Sequence, residues 1–139
     1  TFSFDFGDGT TSAEAKVKHE YEHDGTYSLK LSAQKEFCIS EEIIQVPVYK
    51  ILIPNAFTPD ASSGYNDHFQ VVFGSDLLPP ANVGLKVDLI IFNRWGDIVF
   101  ESSDYQNDWN GSSLAAGVYY FQLKIGDLTT CKDWLQILK

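Results

Sequence analysis

The chain has 139 residues with 10 Lys+Arg against 19 Asp+Glu, a formal net charge of −9. Its cations stand singly, which excludes the basic stripe that a nucleic-acid partner requires and disfavours anionic lipid surfaces. Hydrophobic residues at 44% and aromatics at 14% exclude a disordered or fibrous chain, and apolar runs such as Leu89–Phe92 fall far short of the ~20 residues of a membrane helix. The start at Thr1, without Met or a basic-then-apolar leader, predicts a mature chain or an excised piece with an upstream part missing.

Periodicity of two dominates from the beginning. Phe2, Phe4 and Phe6 alternate with polar residues, as do Ala15, Val17, His19 and Tyr21, and then Tyr27, Leu29, Leu31 and Ala33. These segments predict half-buried antiparallel strands separated by the sharp turns Gly7-Asp8-Gly9 and Asp24-Gly25. A further strand is expected over Ile43–Val48, at an edge because Pro47 cannot donate to a ladder. The pattern restarts between Val48 and Ile51, which sets the expected boundary between residues 1–48 and 49–139.

Beyond it, strands are predicted at Ile51–Ile53, Phe69–Phe73, Leu85–Ile91, Ile98–Phe100, Val118–Ile125 and Leu128–Leu138, each bounded by Gly, Pro, Asn or Asp. Short strands this dense point to a β-sandwich, with Ser102–Ala116 as its one long loop and no helix of ordinary length. The fold class expected is therefore all-β, in two antiparallel sandwich units.

Residues able to do chemistry are sparse. His19, His23 and His68 are dispersed and lack zinc-ligand spacing, so structural or solvated roles are expected for them. There is no nucleophile elbow, and Gly7-Asp8-Gly9 precedes a strand where a phosphate loop would precede a helix. Asp5 and Asp8 read as turn-capping carboxylates rather than an acid/base pair. No enzyme is expected. Asp60, Asn66 and Asp67 share one loop and offer the hard oxygen ligands that suit Ca²⁺, the only cofactor the sequence suggests; the competing reading is a loop of Asx turns. Asn110-Gly111-Ser112 is first of all a turn. Cys38 and Cys131 can pair or stay free.

Phe4-Asp5-Phe6-Gly7-Asp8-Gly9, then His19-Glu20-Tyr21, then Gly25-Thr26-Tyr27-Ser28-Leu29-Lys30-Leu31 resemble the PKD domain. The resemblance implies an immunoglobulin-like sandwich in which residues 1–48 form the C-terminal part, incomplete at its N-terminus, with a partner for Cys38 in the missing strands. The second half is similar to the gliding-motility-associated C-terminal domain, the type B sorting signal of type IX secretion. The blocks that bear this are Ile53-Pro54-Asn55-Ala56-Phe57-Thr58-Pro59, Asn66-Asp67-His68-Phe69, Ile91-Phe92-Asn93-Arg94-Trp95-Gly96, Trp109-Asn110-Gly111 and Gly117-Val118-Tyr119-Tyr120-Phe121, in family order. Asp60-Ala61-Ser62-Ser63-Gly64-Tyr65-Asn66-Asp67 departs from the family by one extra residue and a missing central carboxylate, which weakens the calcium expectation.

This resemblance implies a non-catalytic module that directs a large extracellular protein through the periplasm and the type IX translocon. It also implies docking to a PorP/SprF-like outer-membrane protein, and secreted or cell-surface localisation with upstream cargo on the same chain. Candidate contact residues are Arg94 and Trp95 at a hairpin tip, and Trp134 and Lys139 on the final strand. For Arg94 an internal pair with Asp108 is the favoured alternative, and for Trp95 an anchoring role over the end of the core. Trp109 is expected to pack back onto the sandwich. A calcium- or glycan-binding adhesin module and a structural stalk module are the competing functions.

Overall fold

The computed structural model describes residues 1–59 and 66–139. They form two compact units, Thr1–Lys50 and Ile51–Lys139. In the first, β1 (Phe2–Asp5), β2 (Thr11–Ser12), β3 (Gly25–Lys35) and β4 (Cys38–Val48) make one antiparallel sheet in the order β2-β1-β3-β4. Residues paired across antiparallel strands share a face. Phe2 and Phe4 therefore stand beside Ala33 and Leu31, with Leu29 beside Ile44 and Tyr27 beside Val46. On the opposite face Lys30 Nζ pairs with Glu41 at 2.9 Å, and the Ser28 hydroxyl and Gln45 amide exchange hydrogen bonds. Pro47 lies on β4, an edge strand, as its missing N–H requires.

The strand expected over Ala15–Tyr21 does not form; the segment is irregular and joins the unit through its side chains. His19 stacks on Phe6 with ring centroids 4.0 Å apart, Tyr21 meets His19 edge-on, and Tyr27 stacks on Tyr21 at 4.2 Å. Tyr21 Oη donates to Phe6 O, so the alternation reports an aromatic ladder rather than a hydrogen-bonded strand.

The second unit contains β5 (Ile51–Leu52), β6 (Ala56–Phe57), β7 (Val72–Phe73), the short helix α1 (Pro80–Val83), β8 (Val87–Phe92), β9 (Ile98–Ser102), β10 (Gly117–Ile125) and β11 (Thr129–Ile137). A five-stranded sheet runs β6-β11-β10-β8-β9, and β5 pairs with β7 separately. The Phe69–Phe73 strand shrinks to two residues, and the β6–β11 pairing is parallel, against the antiparallel expectation. Parallel neighbours need a long intervening chain, and β6 lies near the start of the unit while β11 is its last strand.

Alternate residues of the long strands fill one core: Val87, Leu89 and Ile91 from β8, Phe121, Leu123 and Ile125 from β10, Leu135 and Ile137 from β11. Phe57, Phe69, Val71, Phe73 and Tyr105 complete it. At roughly 1.5 to 3 kcal/mol for each large apolar side chain buried, this core supplies the driving force of the unit. No helix among the described residues is long and apolar enough to cross a membrane.

Candidate functional site

The β8–β9 connection is a tight turn organised by Asn93. Its Oδ1 accepts from Trp95 N at 3.0 Å and Asp97 N at 2.9 Å, and its own N–H donates to Asp97 O at 2.9 Å. Gly96, at φ +90°, takes the left-handed position that closes the turn. The result projects Arg94 and Trp95 outward. The Arg94 guanidinium carbon lies 4.3 Å from the Trp95 ring centroid, a cation–π contact, and Trp95 is exposed. Two alternatives from the sequence are thereby corrected. Trp95 does not anchor the core, because the turn directs it to solvent. Among the described residues, Arg94 forms no ion pair with Asp108 or any other carboxylate; its guanidinium carbon sits over the neighbouring indole instead.

Trp134 lies on the solvent face of β11, opposite Tyr120 on β10, which in turn opposes Phe92 on β8. A groove of about 460 Å³ is lined by Phe92, Tyr120, Gln122, Lys132 and Trp134 among others. A second, of about 470 Å³, runs between Arg94 and Trp95 on one side and Val118 and Tyr120 on the other. Tyr120, Phe92 and Val118 were not singled out from the sequence. The signal was there: Val118-Tyr119-Tyr120-Phe121 is apolar at both parities, so β10 presents apolar side chains outward as well as inward. Lys139 turns back, and its Nζ donates to Ser112 O at 2.9 Å.

Loop 103–116 is held by buried polar groups. Tyr105 Oη donates to Phe69 O and accepts from Trp109 N at 3.2 Å, while burial pushes its phenol well above the usual tyrosine range. The Asn107 side chain accepts from Val71 N at 2.9 Å and donates to Val71 O at 3.0 Å, completing a backbone pairing with a side chain. Trp109 stacks on Phe100 at 5.2 Å and meets Phe57 edge-on, as expected of a residue packing back onto the sandwich.

Of the calcium candidates, Asp60 lies outside the described residues. Thr58 N donates to Asn66 O at 2.8 Å, and Asp67 Oδ1 lies 3.0 Å from His68 Nδ1. Among the described residues no group of three or more His, Cys, Asp or Glu gathers around a common point. In the first unit Asp8 accepts from the Thr10 hydroxyl at 2.6 Å and lies 2.6 Å from His19 Nε2. The Thr10 hydroxyl first, and His19 with it, lower the Asp8 carboxyl to about 2. Cys38 and Cys131 are free thiols.

Residues 1–43 match the PKD domain family, and residues 51–137 match the CHU_C type IX secretion signal domain. No curated relative matches the chain. Both matches are to non-catalytic module types, and the second spans the closed core, the Arg94/Trp95 tip and all of β11. The chain belongs to the CHU_C family of type IX secretion signal domains, signals for export to the cell surface or beyond.

Proposed function

We propose that residues 49–139 act as a type B sorting domain that passes through the periplasm, engages the type IX translocon and docks at the outer membrane on a PorP/SprF-like protein. The PKD-like residues 1–48 join it to upstream cargo of the same chain. The supporting observation is that the family match covers a unit with its own core and an outward-facing arginine–tryptophan tip. A folded signal is read through its surface, so exposed side chains without an internal hydrogen bond or ion pair are the groups available to a receptor. Arg94, Trp95 and Trp134 meet that description; Lys139 contributes to it less, since its ammonium is tied to the 103–116 loop.

The test compares a fluorescent reporter with a periplasmic leader fused to residues 1–139 and to residues 1–50. Surface signal from the longer fusion alone, and only in cells with a working type IX system, is the expected result. Equal surface signal from both fusions would favour a stalk role and defeat the proposal.

A further inference from the structure

The two places singled out from the sequence as separate contact sites, the β8–β9 tip and Trp134, lie on one continuous surface. On the solvent face of the five-stranded sheet, Trp134, Tyr120, Phe92 and Ile98 fall in register across β11, β10, β8 and β9. Adjacent strands are about 4.8 Å apart, so the row is roughly 14 Å long. Trp134 is 42% exposed, Tyr120 50% and Ile98 56%. Tyr120 is a wall of both grooves, and the second leads past Val118, 46% exposed, to Trp95, 72% exposed. Monomeric proteins seldom expose contiguous apolar patches beyond a few hundred Å², and the largest such patch on a module is often functional.

Charge identifies the occupant. The ion pairs of this unit among the described residues are Asp67 with His68 and Lys86 with Asp88; neither uses Arg94 or Lys132. These two cations flank the apolar row, Arg94 at the tip and Lys132 in the row beside Trp134, on a chain of net charge −9. Asp133, on the same groove wall, is turned to its own backbone, with Oδ1 accepting from Trp134 N at 2.8 Å. Carboxylates share the face: Glu101 ends the row of Lys132 on β9, and Asp97 at the tip accepts from Asn93 Nδ2 at 3.1 Å, so an acidic partner is received at Lys132 and Arg94 and not by the face as a whole.

Resting on the sorting role above, we propose that this sheet face is the docking surface, and that its occupant is a protein segment with an apolar ridge flanked by carboxylates. Arg94 and Lys132 receive the carboxylates while Trp95, Tyr120, Phe92 and Trp134 receive the ridge. The guanidinium, already held over the Trp95 ring, needs little further ordering to receive a carboxylate.

The full 139-residue chain, fused behind a periplasmic reporter, tests this. Arg94→Glu with Lys132→Glu, and separately Tyr120→Thr with Trp134→Thr, should each lower surface signal at least ~10-fold while the melting temperature stays within about 3 °C. Lys132→Arg should retain the signal, as should Lys35→Glu with Lys50→Glu, which matches the change in net charge within the first unit. Wild-type signal from the first two variants would overturn the surface while leaving the sorting role intact. Loss of signal only in variants that also melt early would overturn it in favour of a structural role. Failure of the unaltered chain to reach the surface in a competent strain would defeat the sorting role and this proposal with it. Trp134-dependent binding of the purified chain to an oligosaccharide array, with export unaffected, would assign the face to glycan instead.

Discussion

Asn107 shows how one side chain can do the work of a strand. Its amide satisfies both the N–H and the C=O of Val71, a fully buried residue, from 36 positions away. Asn107→Ala leaves both groups without a partner, and a loss of about 1 to 3 kcal/mol is expected in urea unfolding. Gly111 is constrained differently: at φ +61° a Cβ would lie 2.9 Å from Ile137 Cδ1 and 3.2 Å from the Trp109 ring. Backbone strain and overpacking together predict that Gly111→Ala costs about 2 to 4 kcal/mol. Asp8 is the residue whose behaviour depends on pH. Its carboxyl is lowered from 3.8 to about 2, so its contribution is fully present above about pH 5 and is lost as pH falls through 4 toward 2. Denaturation of the first unit between pH 5 and 2 should therefore steepen in the wild type and flatten in Asp8→Asn, with tyrosine fluorescence reporting on the Tyr21–Tyr27 stack.

At the scale of elements, the two tryptophans flanking β9 make a direct contrast. Trp95 stands on a turn defined by Asn93 and Gly96 and touches Arg94, whereas Trp109 is wedged against Phe100 and Phe57. Trp95→Ala should change unfolding free energy by no more than about 0.5 kcal/mol, as surface substitutions do. Trp109→Ala should cost about 3 kcal/mol, in the range for a large aromatic removed from a core. The sequence placed β8, β9, β10 and β11 to within a few residues, because each has apolar residues at alternate positions along enough length to be read. It missed β6 and shortened poorly at β7, since two-residue strands such as Ala56–Phe57 and Val72–Phe73 are made by a neighbour's free edge rather than by their own pattern. It over-read Ala15–Tyr21 for the complementary reason: aromatic stacking on a sheet imposes the same alternation as pairing within it.

For the molecule as a whole, the difference between the units lies in how much each buries. The second gathers aliphatic and aromatic side chains from five strands into one core; in the first, Phe6 is the buried apolar residue and the apolar face of the sheet is partly open. Hydrogen exchange of the full chain should accordingly show the slowest amides in β8, β10 and β11, and faster exchange throughout β4, the exposed edge strand of the first unit. Uniform protection across both units would contradict this.

By itself the sequence determined the all-β class, the spacing of the long strands, the turns that need glycine and the kinship with a secretion signal, since these follow from local periodicity, backbone preference and motif order. Only the tertiary structure decided that Arg94 rests on Trp95 rather than on Asp108, and that Lys139 folds back onto Ser112. It also put Phe92, Tyr120 and Trp134, far apart in the chain, in one row. Register between strands is a non-local quantity: a shift of one residue would send each of these aromatics to the core side, and what selects the observed register is the simultaneous burial of Leu89, Leu123 and Leu135 on the other face.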